Sequence, residues 1–370
     1  MNAKGESMKA AILYEFGKPL VIEEVKLDPP GKGEVKIRIA ACAICHSDIH
    51  SFKGEHGSPP LPAVGGHEIA GYVEEAGEGV TYVKAGDPVI AGIIPAGCGI
   101  CYYCSVGLSN QCMNNPIYLA APGRYVTEKG QRLTQLAGPV AGFVEYNTLP
   151  EVNLVKIPPD IPVDRAALLG CGVISGFGAV VNRAGVKPNS SVLVMGAGGV
   201  GLNAIQGALF CGAYPIIAAD ILDSKLEAAK SFGATHVINL KKTDDPIKDV
   251  LDVTYGRGAD YVIVAVAGID ILRQGFLMSA VDGTTVIIGH GYGEQLSAFT
   301  PTDFMRGRKL TGSAMGATRP RLDIPRLIEL YRNGRLKLDE LISGHYPFQE
   351  INDAIRSMEQ GEAIRNVILF

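Results

Sequence analysis

Eight cysteines stand in this 370-residue chain, and four of them crowd into one short stretch. Cys98, Cys101, Cys104 and Cys112 have the spacing C-x2-C-x2-C-x7-C. Thiolates that close complete a tetrahedron around Zn2+, with Zn–S bonds near ~2.3 Å. Nothing else in residues 97–112 offers an acid, a base or an open ligand position, so such a site would brace the chain rather than react. An iron–sulfur cluster and a redox thiol set are the competing readings; a four-sulfur zinc site is the commoner use of this spacing.

Three further candidate ligands are scattered: Cys45, His67 and Cys171. Two thiolates and an imidazole leave one tetrahedral position open, which is the arrangement of a catalytic zinc. The gaps between them are long, and spacing alone does not bring them together. Taken singly, each has a plainer reading that is favoured without further context. Cys45 reads as a buried thiol, His67 as a core histidine and Cys171 as an apolar residue opening a helix.

A different chemistry is written in residues 190–220, SSVLVMGAGGVGLNAIQGALFCGAYPIIAAD. An apolar strand over 192–195 runs into Gly196, Gly198, Gly199, Val200 and Gly201, in the order G-x-G-x-x-G, and a helix follows up to Gly212. Gly196 permits a tight turn, Gly198 lets backbone approach a pyrophosphate, and Gly201 lets the helix sit close to the strand. The helix start offers free N–H groups to the phosphates. A second strand, 216–219, ends on Asp220, where a carboxylate accepts hydrogen bonds from an adenosine ribose and repels a 2′-phosphate. NAD is therefore expected over NADP. A glycine-rich turn in some other doubly wound sheet is the plainer alternative.

These residues need elements to hold them. The first half predicts short strands with glycine turns, a barrel-like all-β unit: a hairpin over 9–25 around Gly17, a period-two strand over 34–43, and strands over 69–75 and 88–94. Residues 118–149 read as irregular, with strand character only at 143–146. Helices are expected at 162–169 and 173–184. Past the glycine motif the pattern alternates: helix 226–232, strand 236–238, helix 247–255, strand 261–266, helix 272–280, strand 284–288. That alternation implies a parallel sheet covered on both faces, so the fold class is α/β. Helices follow at 324–333 and 351–358. A terminal strand over 364–370 is expected to pair with the first domain.

The totals narrow the function. Hydrophobic residues make up 47% and charged residues 19%, which suits packed cores and excludes disorder. A net charge of −4 gives no hint of a nucleic-acid partner. Residues 1–16 lack a continuous apolar core, so no secretory signal is expected and the cysteines point to metal or catalysis before disulfides. Residues 88–123 carry no charge but are broken by Pro, Asn, Gln and Gly. The apolar run 166–181 is shorter than the ~20 residues a membrane span needs. A cytoplasmic protein that enters no membrane is expected.

Taken together, the motifs carry a resemblance over essentially the whole chain. Gly66-His67-Glu68 with Gly71, Gly77 and Val80 is similar to the zinc signature of the zinc-dependent alcohol dehydrogenases of the medium-chain dehydrogenase/reductase superfamily. Cys45-His46-Ser47-Asp48 resembles their first zinc-ligand motif, and Cys98–Cys112 their structural-zinc lobe. The resemblance implies a GroES-like β-barrel catalytic domain at 1–172 with a zinc lobe at about 97–113. It also implies a Rossmann doubly wound NAD domain at 173–315 and a return to the catalytic domain at 316–370. Cys45, His67 and Cys171 would bind the catalytic zinc, with Glu68 beside it as a transient ligand. Asp48 would orient His67. Ser47 would take the substrate proton, and His50 would pass it to solvent through the cofactor ribose. Asp220 and Lys225 would hold the adenosine ribose; His46 and Arg365 would contact the pyrophosphate. The loop 51–62 and the segment 118–140 would line the pocket for a small alcohol or carbonyl substrate. A homodimer or homotetramer is implied. Other readings are a polyol or aldehyde-adduct dehydrogenase on the same scaffold, or a non-catalytic dinucleotide-binding protein.

Overall fold

The computed structural model describes residues 7–55, 57, 59–114, 121–289 and 299–370. The chain divides into two compact units: Met1–Cys171 with Arg319–Arg332 and Leu338–Phe370, and Gly172–Thr318 with Asn333–Lys337.

The first unit is built of strands. Ser7–Leu13, Val21–Leu27, Ala121–Thr127, Arg132–Gln135 and Ala63–Val64 close a small barrel. A second sheet runs in the order Leu154–Lys156, Pro88–Ala91, Glu68–Ala76, Glu34–Ala43, Arg365–Leu369, Ile342–Pro347, and Tyr146–Pro150 also pairs with Glu34–Ala43. Glu34–Ala43 is the central strand because its alternation is clean: Val35, Ile37, Ile39 and Ala41 are all buried. The chain's last strand lies antiparallel beside it, with Val367 opposite Ala43 and Ile368 opposite Cys42.

One stretch departs from the sequence reading. Residues expected to be irregular supply two barrel strands, Ala121–Thr127 and Arg132–Gln135. Pro122-Gly123 hides the first, and its pairing register slips between Pro122 and Val126. The turn between them uses Gly130 at φ +79°. Tyr125 anchors the strand: it is fully buried, and its hydroxyl donates to Asn147 Oδ1 at 2.9 Å. Strand character expected at 143–146 begins instead at Tyr146.

The second unit is a six-stranded parallel sheet. Its order is His236–Asn239, Ile216–Asp220, Val192–Met195, Ala259–Val264, Ser279–Ile287, Lys309–Gly312, which is the doubly wound order. The buried runs Val192–Met195 and Ile216–Asp220 have no exposed side, as parallel strands covered on both faces require. The helix expected over 173–184 is Gly172–Gly178, continued as a wider π turn over Ala179–Ala184 and stopped by Gly185 at φ 60°. The edge strand Lys309–Gly312 carries no apolar pattern and was not foreseen.

Candidate active site

The four clustered cysteines present their sulfurs to one point. Cys98 Sγ lies 4.0 Å from Cys104 Sγ, and Cys101 Sγ 3.9 Å from Cys112 Sγ. A tetrahedron with ~2.3 Å bonds has edges of about 3.8 Å, whereas a disulfide would need about 2.05 Å. The donor set therefore fits a zinc ion. The amides of Cys98 and Cys101 donate to Cys112 Sγ and Cys98 Sγ, each at 3.4 Å. Backbone N–H groups of Ile100 and Cys101 lower the Cys98 thiol to about 6, while burial raises Cys104 to about 11. Gly97, at φ +95°, leaves room for this: a Cβ there would stand 2.9 Å from Cys104 Sγ. Ile100, Tyr102 and Met113 are exposed by 86%, 69% and 69%, so the lobe has little apolar core of its own. Bracing by metal is what this lobe needs.

The second donor set is assembled by strand register. Ala43 pairs with Glu68 on one side and with Val367 on the other. Cys45 lies two residues past Ala43, His67 one before Glu68, and Arg365 two before Val367, so three distant segments meet. Cys171 arrives after the helix Val163–Leu168 by way of Gly170. A Cβ on Gly170 would lie 3.2 Å from Glu68 Cα and 3.4 Å from the His67 carbonyl, so glycine lets this backbone come near without crowding. One donor atom each from Cys45, His67, Glu68 and Cys171 lies within 4.8 Å of the others, and all four residues are buried.

Asp48 aims the imidazole. Its Oδ1 accepts from His67 Nδ1 at 2.8 Å and from the Gly66 amide at 3.2 Å, and its Oδ2 accepts from the Cys45 amide at 3.0 Å. Nε2 of His67 is thereby the nitrogen left for a metal. Ser47 Oγ lies 3.3 Å from that nitrogen. Gly66 sits at φ +87° with a hypothetical Cβ 2.8 Å from the Phe143 amide, so the turn before His67 requires glycine.

Charge explains why this pocket suits a cation. Burial pushes Glu68 up to about 8 against the pull of Arg365. A hydrogen bond from Cys171 holds Cys45 well below the usual thiol range, while the same bond and burial push Cys171 up. Two thiols, an imidazole and a carboxylate sealed from water have one fixed positive neighbour, Arg365. It is 3% exposed, with Nη2 3.5 Å from Glu68 Oε1 and Nη1 donating to the Ile44 carbonyl at 3.2 Å. A divalent cation bound there would hold both thiols as thiolates, their charge then offset by the ion together with Arg365.

In the second unit the glycine turn has its expected shape. Gly196 is at φ +92°, and a Cβ on Gly201 would lie 1.7 Å from the Gly196 carbonyl oxygen. Around Gly198 there is open space, and Gly199 and Val200 begin the helix Gly199–Phe210. Asp220 closes the second strand. Its Oδ2 accepts from the Ala197 amide at 2.8 Å, and its Oδ1 from the Ile221 and Leu222 amides at 2.7 and 3.1 Å. Lys225 is half-buried on the helix Asp223–Ser231.

Comparison with known proteins decides the family. Residues 31–159 match the model of the alcohol dehydrogenase GroES-like domain, and residues 199–333 that of the zinc-binding dehydrogenase. The chain is 37% identical to alcohol dehydrogenase 1 of Trifolium repens, over 99% of this chain and 98% of that protein. It belongs to the zinc-dependent alcohol dehydrogenase family. Among solved members, benzyl alcohol dehydrogenase from Acinetobacter calcoaceticus superposes with a TM-score of 0.90 at 31% identity, over 99% of each chain. Acetophenone reductase from Geotrichum candidum, solved in complex with NAD, gives 0.80 at 25% identity, over 100% of this chain and 99% of that one.

Within this dehydrogenase several expected residues have neighbours the sequence did not suggest. Arg365, assigned by resemblance to the pyrophosphate, is enclosed beside Glu68. His46 is exposed at the start of the helix His46–Phe52. His50, on the same helix, directs Nδ1 at the carboxylate of Glu55. Gly170 and Glu55 were missed altogether; a glycine directly before a candidate ligand was the signal for the first. Of the segments expected to line the pocket, residues 56, 58 and 118–120 lie outside the described residues.

Proposed function

We propose that this zinc-dependent oxidoreductase transfers a hydride from an alcohol to NAD and, in reverse, reduces the corresponding aldehyde or ketone. The observation that carries the reading is the buried donor set of Cys45, His67, Glu68 and Cys171, with His67 Nδ1 tied to Asp48. Cys45, His67 and Cys171 would hold zinc, with Glu68 in reserve for ligand exchange. Bound there, zinc supplies a Lewis acid for the substrate oxygen. Four sulfurs at 98–112 would hold a second, structural ion.

The chain's own residues do the rest. Ser47, whose Oγ lies beside His67 Nε2, would receive the substrate hydroxyl proton. His50, one helical turn further on, passes it outward. Asp48 keeps the imidazole of His67 from turning, and Arg365 keeps the sealed site from accumulating negative charge. Burial excludes water from the metal ligands.

The parallel sheet is the cofactor-binding unit in this reading, with catalytic residues at 1–172 and 316–370 and the dinucleotide at 173–315. NAD supplies the hydride acceptor. The Gly196–Gly201 turn would cradle its pyrophosphate with His46 and Arg365, and Asp220 and Lys225 would hold its adenosine ribose. The structure of the Geotrichum relative with NAD supports this cofactor. Among the described residues no helix is long and apolar enough to cross a membrane. A cytoplasmic homodimer or homotetramer acting on small alcohols accords with the reading. Metal analysis tests it: two zinc ions per chain, with the absorbance of reduced NAD appearing in a panel of primary, secondary and aromatic alcohols, is the expected result. One zinc per chain, or no turnover with any alcohol, overturns it.

A further inference from the structure

The helix His46–Phe52 carries Ser47 and His50 three positions apart, so both project from one face. Just beyond it the chain doubles back at Glu55. The Glu55 amide donates to the His50 carbonyl at 3.0 Å, and the Glu55 carboxylate Oε2 meets His50 Nδ1. Backbone and side chain of one residue thus both engage the same histidine. We propose that Glu55 is a positioning residue for His50, fixing Nδ1 as the protonated nitrogen and presenting Nε2 as the acceptor of the outgoing proton. This rests on the reading of His50 as the outer member of the proton relay.

The chemistry follows from the histidine's two nitrogens. With Nδ1–H donating to a carboxylate, the neutral ring has its lone pair on Nε2. When Nε2 takes a proton, the ring becomes an imidazolium beside an anion, which stabilises it. The proton then leaves Nε2 for water, and the ring returns to the same tautomer; nothing is consumed. Among the described residues, several charged groups near this helix have partners of their own. Asp48 serves His67, Cys45 and Gly66. Lys53 pairs with Glu359 at 2.9 Å, and Arg356 with Asp353 at 3.0 Å, both acids lying on the helix Ile351–Glu359 packed alongside. Glu15 and Lys18 lie in the turn whose Gly17 amide bonds the Phe52 carbonyl. His46 shares the helix with His50.

His50 and Glu55 side chains are 33% and 42% exposed, so the pair adds little to stability and its effect belongs in the tautomer and orientation of His50. The test is NMR of the zinc-loaded enzyme with isotope-labelled histidine, comparing wild type, Glu55→Gln and Glu55→Ala, with His50→Gln to assign the signal. Glu55→Ala is expected to mix the two tautomers in the 15N spectrum and to lower kcat/KM for alcohol oxidation several-fold, with zinc content and Tm unchanged. Glu55→Gln keeps an acceptor for Nδ1–H and is expected to restore most of the wild-type tautomer and rate. An unmoved tautomer in Glu55→Ala, or a mixed tautomer with an unmoved rate, overturns the proposal. If His50→Gln keeps the wild-type rate, the relay reading fails and takes Glu55 with it. If His50→Gln loses rate while Glu55→Ala does not, only the role of Glu55 falls.

Discussion

Asp48 and His67 are joined by a 2.8 Å hydrogen bond in which both partners are buried, and the same carboxylate also takes the amides of Cys45 and Gly66. One acid therefore fixes the orientation of an imidazole and the backbone carrying a thiol. Asp48→Asn keeps the shape but loses the charge. It is expected to weaken metal binding at Cys45, His67 and Cys171 by about 10–100-fold. Zinc retained per chain during chelator titration measures this; the four-cysteine ion should be unaffected.

The cysteine lobe should behave oppositely. Cys104→Ser is expected to release the second ion and expose residues 98–112 to protease, because exposed Ile100, Tyr102 and Met113 give that lobe little core. Limited proteolysis with mass analysis locates the cut. A lobe as resistant as wild type would show that the cysteines do not brace it.

Asp220 bears on cofactor choice. Asp220→Ala is expected to weaken NAD and to raise the relative use of NADP, read from the ratio of their kcat/KM values. Because three amides bond this carboxylate, Asp220→Ala also removes acceptors that hold the turn. Asp220→Asn is therefore the sharper variant: it should shift the NADP ratio with less loss of Tm. An unchanged ratio in both variants removes Asp220 from ribose recognition.

A pH-dependent contribution to stability is placed at Asp87. Burial works to raise this carboxyl, but the Lys156 ammonium at 2.8 Å and the Lys84 amide at 3.0 Å outweigh it and hold the group below its ordinary value of 3.8. A folded-state value below the unfolded one gives stability that is present above the unfolded value and is lost as pH falls through the folded value. Asp87→Asn should cost about 1–2 kcal/mol at pH 7 and progressively less below about pH 4. Urea unfolding at pH 7 and pH 3 measures the difference, and a cost that stays constant across that range would refute it.

What could be read from the sequence depended on how local the signal was. Glu34–Ala43 and the Val192–Asp220 stretch announce themselves because alternation, apolar runs and glycines act over a few residues. The barrel strand Ala121–Thr127 does not, since Pro122 and Gly123 sit inside it and its partners are the distant Val21–Leu27 and the slipped Arg132–Gln135. The meeting of Cys45, His67 and Cys171 was suggested by resemblance. Its physical cause, the pairing of Ala43 with both Glu68 and Val367, is a long-range register that no short window contains. The neighbour of Arg365 was hidden for the same reason, whereas Glu55 stands five residues from His50 and was hidden because the turn that folds it back carries no apolar period.

The position of Arg365 in the final strand also governs how this enzyme is made. Cys45, His67 and Cys171 leave the ribosome well before Arg365, roughly 10–40 s after Cys171 at ordinary elongation rates. During that interval the nascent ligands lack both their guanidinium counter-charge and the strand that flanks Ala43. Maturation of the buried centre is therefore tied to the arrival of Arg365, and a chain halted between Cys171 and Arg365 would emerge with ligands in hand and no finished chamber to enclose them.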